Sequence, residues 1–255
     1  MSKGIVVSAI NVQFGGVVAL NNLSIKVLPG QILGVIGPNG SGKSTLFNAI
    51  SGLVQLSTGS IRINDMDVQG ASARALIQGG LTRTFQTPRV DPELTTEEAI
   101  LCGFLTKSEQ SLVDALLRLP RCRREEDEFK ASAQRIMQQL GLLDVAGIPL
   151  GELPMGQVRL VDIGRAMAAH PRYLLLDEPA AGLSLIEQRR MGDVVRSLAA
   201  SNVGILLVEH NFDLIGDLCD HVVVLDRGKL LIEGDIATLR DDPEFVRCYL
   251  GSRAA

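Results

Sequence analysis

The sequence predicts an α/β fold, in which a mainly parallel sheet is preceded by an antiparallel β region and interrupted by a helical insertion. Short apolar runs at Ile32 to Ile36, Tyr173 to Asp177 and Val203 to Glu209 read as buried strands, each followed by a stretch with helical spacing. From Ile5 to Val27, β-branched or apolar stretches alternate with Gly and Asn turns and lead into Pro29-Gly30, as in an antiparallel sheet. Between Thr87 and Met167 the pattern changes to helices.

Taken in order, the strand Ile32 to Ile36 runs into a glycine-rich loop, and then Leu46, Ala49, Ile50 and Leu53 recur at helical spacing. In the insertion, Phe129, Ala133, Ile136, Met137 and Leu140 lie on one helical face that stops at Gly141. The charged run Arg121 to Lys130 reads as a solvated face or exposed connection. Phe212, Ile215 and Cys219 mark the apolar side of the helix after the third strand. Val222 to Leu225 and Leu230 to Glu233 flank Arg227-Gly228 as a hairpin, followed by a short helical tail. With no repeat, low-complexity segment or linker, the 255 residues are expected to form one domain.

Composition narrows the function classes. With 46% apolar and 21% charged residues the chain is ordinary for a globular protein. A net charge of -4 offers no basic surface for nucleic acid or anionic lipid, so neither is an expected partner. Cys102, Cys122, Cys219 and Cys248 are widely spaced, without a Cys-x-x-Cys pair, and read as free thiols in a reducing cytosol. Met1 to Gly16 lacks the pattern of a secretory leader. The apolar runs are far shorter than the roughly 20 residues of a membrane helix. A cytoplasmic location is expected.

Gly37-Pro38-Asn39-Gly40-Ser41-Gly42-Lys43-Ser44-Thr45 fits G-x-x-x-x-G-K-[ST] between the predicted strand and helix that this motif requires. Its glycines let the backbone wrap closely, so that N–H groups and the helix N-terminus face phosphates. Lys43 supplies positive charge to the β- and γ-phosphates, and the Ser44 hydroxyl is a ligand for Mg²⁺. A merely flexible glycine turn is the competing reading, which the flanking elements disfavour.

Asp177 and Glu178 sit at the C-terminal end of a buried strand, where α/β sheets keep their ligands. Asp177 can hold Mg²⁺ through its water shell, and Glu178 can orient or deprotonate an attacking water. Alone, Asp177-Glu178-Pro179 could simply end the strand and begin a turn. His210 ends another strand, so its imidazole is expected on the same sheet edge as Glu178, although an isolated His is usually structural. Gln86 carries no signal of its own.

In order and spacing these elements resemble the ABC ATPase family over essentially the whole chain. The resemblance implies a P-loop NTPase core with an antiparallel β subdomain, residues 1–87 and 168–255, and an inserted α-helical subdomain, residues 88–167. It implies that Phe14 stacks on adenine, a core Phe being the alternative. Gln86 would touch Mg²⁺ and act with Lys43, Glu178 and His210 in catalysis. Residues near Arg89 to Ile100 would receive a membrane subunit.

The family signature, typically Leu-Ser-Gly-Gly-Gln, reads Leu153-Pro154-Met155-Gly156-Gln157, so the serine hydroxyl is absent while the Gly156 N–H remains for phosphate. Ser184 stands where most members carry Asp. Phe14-Gly15-Gly16, Arg83-Thr84-Phe85-Gln86, Leu153 to Gln157, Glu178 to Leu183, Val208-Glu209-His210-Asn211 and Tyr249-Leu250-Gly251 look closest to the ATPases of branched-chain amino acid importers. The implied function is ATP-driven import of branched-chain amino acids or a related small polar or amide solute. Implied partners are ATP with Mg²⁺, transmembrane permeases, indirectly a periplasmic solute-binding protein, and a second ATPase, either identical or a paralogue. The implied place is the cytoplasmic face of the inner membrane. A soluble ABC ATPase that remodels ribosomes or DNA, and a subunit that binds ATP but scarcely hydrolyses it, are the competing readings.

Overall fold

Strand Ile32–Ile36 (β3) is buried along its whole length, and both partners that flank it are parallel: β8 (Gly204–Val208) on one side and β9 (His221–Asp226) on the other. Such a strand has both faces covered, which is why it reads as continuous apolar sequence rather than as alternation. The computed structural model describes residues 4–105, 120–240 and 242, with no side-chain description at 120–123 and 240. Tyr249-Leu250-Gly251 lies outside the described residues, as do the side chain of Cys122 and all of Cys248.

Two compact units divide the chain. The first takes the described residues up to Arg83, Arg172–Glu178 and those from Val195 onward; the second takes Thr84–Pro171 and Pro179–Val194. In the first unit, a four-stranded antiparallel sheet has the order β2-β1-β4-β5, from β1 (Ile5–Phe14), β2 (Val17–Val27), β4 (Thr58–Ile63) and β5 (Met66–Asp67). A six-stranded sheet has the order β10-β9-β3-β8-β7-β6, adding β6 (Leu81–Arg83), β7 (Tyr173–Asp177) and β10 (Lys229–Gly234). Only the β9–β10 hairpin is antiparallel there. Helix α1 (Lys43–Ile50) places Phe47 and Ile50 in one core with Ile5, Leu23, Ile61, Val35, Leu175 and Leu206, drawn from both sheets. Burying each such side chain is worth about 1.5–3 kcal/mol. Helix α2 (Ala73–Gln78), capped by Ser72, completes the part before β6.

The second unit is helical. Helix α3 (Thr96–Phe104) packs with α4 (Pro120–Leu140) and α5 (Met155–Ala168). Ala133, Ile136, Met137 and Leu140 of α4 are buried, as the sequence predicts, and the half-buried Phe129 stacks on Phe104 with ring centroids 4.9 Å apart. Helix α6 (Leu185–Ala200) contributes residues to both units, whereas α7 (Phe212–Leu218) and α8 (Ile236–Arg240) belong to the first.

One residue of the predicted helical face is on the surface. Leu53 is 60% exposed because α1 stops at Ile50: Gly52 turns left-handed at φ 69° and the Leu53 N–H bonds back to the Asn48 carbonyl at 2.8 Å. The sequence pattern did not reveal β4, β5, β6 or α2, which are short or half-exposed segments. No helix among the described residues is long and apolar enough to cross a membrane.

Candidate functional site

The site begins where β3 ends. The loop 37–42 turns from strand to helix with Gly37 at φ 152°, and a Cβ on Gly37 would collide with the Leu225 carbonyl oxygen. Only glycine fits a backbone of that shape in that space. The Lys43 ammonium donates to the carbonyls of Gly37 at 2.8 Å and Pro38 at 3.0 Å, so the side chain folds back along the inside of its own loop. Burial pushes its pKa down, and the charges of Glu178 and Asp177 work against that shift. Asn39, Gly40 and Ser44 are exposed, while Pro38 and Thr45 are half-buried. Ser41 is buried, and its hydroxyl oxygen has no hydrogen-bond partner among the described residues. A buried orphan donor lining a glycine loop suits a site completed by an anionic ligand.

At the end of β7, Asp177 is 8% exposed and accepts a charge-assisted hydrogen bond from Arg83 Nη2 at 3.1 Å. Burial pushes the Asp177 carboxyl up, and Arg83 opposes that rise. Glu178 follows in left-handed backbone at φ 49°, its N–H bonded to the Val208 carbonyl at 2.9 Å. A non-glycine residue in that conformation stores of order 1 kcal/mol or more, a strain that clusters at functional sites. Its Oε1 lies 2.8 Å from Nε2 of His210, beyond the end of β8. Because β7 and β8 run in parallel with Asp177 beside Val208, the two strand ends present Glu178 and His210 together. Lys43, Asp177, Glu178 and His210 thus meet within the first unit.

Phe14 is also in that unit, at the end of β1 before the Gly15-Gly16 turn. It is 52% exposed, with Val17 and Val18 exposed beside it, and so is not a core residue. Gln86 and Gly156 belong to the second unit. Gln86 is exposed. Gly156 is buried at the start of α5, where a Cβ would stand 2.8 Å from the Gly182 carbonyl oxygen. That helix is preceded by Pro154, which provides no side-chain cap. Ser184 is engaged in its own chain: its hydroxyl accepts from the Glu187 N–H at 3.3 Å and donates to the Glu187 carboxylate at 2.7 Å.

Sequence reasoning missed Arg83 and Asn48, whose side chains meet at 2.8 Å beside Asp177. It also missed Asp162, buried in α5 beside Arg165 at 2.6 Å and the Phe85 backbone. No local signal marks Asn48, and Arg83 stands out in the sequence only as part of Arg83-Thr84-Phe85-Gln86. Among the described residues no cluster of His, Cys, Asp and Glu could hold a metal by itself. Oxygen donors for a hard cation are nevertheless present in the first unit, in the Ser44 hydroxyl and the Asp177 carboxylate.

A glycine loop between strand and helix, with acids at the end of another strand of the same sheet, defines a P-loop nucleotide hydrolase. A family profile described as ABC transporter matches residues 20–181. The high-affinity branched-chain amino acid transport ATP-binding protein BraF of Pseudomonas aeruginosa is 36% identical, covering 98% of this chain and 99% of its own. LivG of Escherichia coli, of the same description, is 33% identical over 96% of each chain. Among solved structures, the ADP conformation of MJ1267, an ATP-binding cassette of an ABC transporter, superposes with a TM-score of 0.82 at 32% identity, covering 98% of this chain and 100% of that one. The chain belongs to the ABC transporter family, and it is an ATP-binding ATP hydrolase.

Proposed function

We propose that the chain powers import of branched-chain amino acids, or of a related small polar or amide solute, by closing with a second ATPase around ATP and driving transmembrane permeases. It would work at the cytoplasmic face of the inner membrane, supplied from outside by a solute-binding protein. The near full-length likeness to BraF and LivG supports this substrate class. The substrate class rests on this kinship and not on the chemistry of the ATP site.

The observation that carries the hydrolytic mechanism is the Glu178 to His210 contact of 2.8 Å in the same unit as Lys43. ATP phosphates lie in the loop Gly37 to Thr45, against its N–H groups and Lys43, with Phe14 on adenine. Ser44, Asp177 and Gln86 would hold Mg²⁺, which when bound neutralises charge on the β- and γ-phosphates. Glu178 takes a proton from the attacking water, and His210 holds the Glu178 carboxylate and senses the γ-phosphate. The start of α5 at Gly156 faces the nucleotide held by the opposite subunit. In this reading residues 88–167 form the helical subdomain and the rest the catalytic core.

Purified wild type should hydrolyse ATP, and Glu178→Gln should lower turnover by about 10²–10⁴-fold while leaving nucleotide binding intact. Equal turnover in both would remove Glu178 from its role. Pro154, Met155 and Ser184 favour a second reading, a subunit that binds ATP but scarcely hydrolyses it; robust wild-type turnover dismisses that reading. For the substrate, cells whose only copy carries Glu178→Gln should lose uptake of labelled leucine, and undiminished uptake would overturn the assignment.

A further inference from the structure

Arg83 ends β6, at the edge of the six-stranded sheet, with its Cα in register with Leu175 of β7. Cross-strand partners share a face, and so does the residue two further along, which is Asp177. The guanidinium accordingly reaches Asp177 Oδ2 through Nη2 at 3.1 Å, while Nη1 donates to Asn48 Oδ1 at 2.8 Å and to Ser51 Oγ at 3.3 Å. Its carbon centre also lies 5.4 Å from the Phe47 ring centroid. Asn48 and Phe47 belong to α1 and Ser51 caps its C-terminus; this is the helix whose first residue is Lys43. One planar fork therefore ties the acid at the end of β7 to the helix that carries the phosphate loop.

Stability is a weak reason for such an arrangement. The pair is buried, with 9% and 10% side-chain exposure, and a buried ion pair commonly contributes no more than well-packed apolar residues of the same volume. What the fork supplies is geometry. Lysine has the charge but not the fork, and cannot hold a carboxylate on one side and an amide and a hydroxyl on the other.

We propose that Arg83 is a positioning residue, which fixes the Asp177 carboxylate against α1 so that it is preset for the metal that accompanies the nucleotide. This rests on the reading that Asp177 serves Mg²⁺. Partners that orient a ligand's side chain typically govern metal affinity while touching no metal themselves.

The test is binding of a fluorescent ATP analogue to the full chain, titrated with Mg²⁺ and repeated in a chelator, with thermal unfolding measured alongside. Arg83→Met should raise the Mg²⁺ midpoint by about 10- to 100-fold. Its affinity in chelator should stay within about twofold of wild type. Arg83→Lys should behave like Arg83→Met, and Asn48→Ala should shift the midpoint in the same direction by roughly 2- to 10-fold. A wild-type midpoint in Arg83→Met, full recovery in Arg83→Lys, or an equal loss with and without Mg²⁺ would each overturn the proposal. Should Arg83→Met not fold, an unshifted midpoint in Asn48→Ala overturns it instead. Asp177→Ala separates the two levels. If it keeps the wild-type Mg²⁺ response, the reading of the site fails; if it loses that response while Arg83→Met retains it, only the role of Arg83 falls.

Discussion

The described α-helix starts are of two kinds. Ser72 before α2, Thr95 before α3, Asn211 before α7 and Asp235 before α8 each accept a backbone N–H of the following turn, and Ser184 does the same for α6. Helix α1 begins after Gly42 and α5 after Pro154, neither with a side-chain cap. A first turn leaves N–H groups without intrahelical partners, and a capping side chain satisfies one or two of them. In the capped helices part of that demand is met within the chain. Among the described α-helix starts, the two without a side-chain cap carry the phosphate-loop and signature motifs, and the partial positive charge of such a helix end favours an anion. A missing side-chain cap thus marks the two described starts to which the proposed function assigns a phosphate.

The sharpest way to break this contrast is to fill the space that the uncapped α1 keeps open. Gly42 has φ 105°, and a Cβ there would stand 2.8 Å from both the Ala19 carbonyl oxygen and Leu20 Cδ2. Backbone strain and overpacking act together in Gly42→Ala, so a loss of roughly 2–4 kcal/mol is expected in denaturant unfolding, with loss of nucleotide binding. A variant that unfolds and binds like wild type would mean that the loop tolerates other shapes, and that its glycine is not what holds the helix start open.

A second variant probes α5 in the opposite sense, by adding a hydroxyl. Pro154→Ser restores the residue typical of the family at a position that is exposed and tolerant of either side chain. A hydrogen bond to a charged phosphate is worth about 1.5–3 kcal/mol, so ATP turnover should rise by roughly tenfold or more if the proline limits it. Unchanged turnover would show that the open backbone N–H groups suffice without the hydroxyl.

The sequence made one kind of feature readable and concealed another. Lys43, Asp177, Glu178 and His210 were legible because each sits at a strand end or helix start, where local pattern and topology together dictate what neighbours what. The buried strands β3, β7 and β8 announced themselves as uninterrupted apolar runs. Arg83 was opaque as a partner of Asp177, because the two stand 94 positions apart in the chain and meet only when β6 pairs with β7. Strand β6 has three residues and β5 two, too few for periodicity to register. Leu53 misled because helical spacing continues in the sequence past Gly52, where the backbone leaves the helix. Ser184 read as a departure from the family, and its use as a helix cap emerges only from the contacts of its hydroxyl with Glu187.

The smallest expected effect belongs to a capped helix. The Thr95 hydroxyl accepts from the Glu98 N–H at 3.3 Å, while the Glu98 carboxylate accepts from the Thr95 N–H at 2.9 Å and the Thr95 hydroxyl at 2.8 Å. Removing the hydroxyl in Thr95→Ala should lower Tm by roughly 2–4 °C near neutral pH, without altering ATP turnover. The Thr95 N–H and hydroxyl hold the Glu98 carboxyl below its ordinary range. A group so depressed adds stability above its unfolded pKa and loses it as pH falls through the folded value. The gap in Tm between wild type and Thr95→Ala should therefore narrow on acidification below the carboxylate range, leaving the part due to the Glu98 N–H. A gap that is constant with pH would separate the carboxylate from the cap, and a fall in turnover at neutral pH would tie this helix start to the ligand after all.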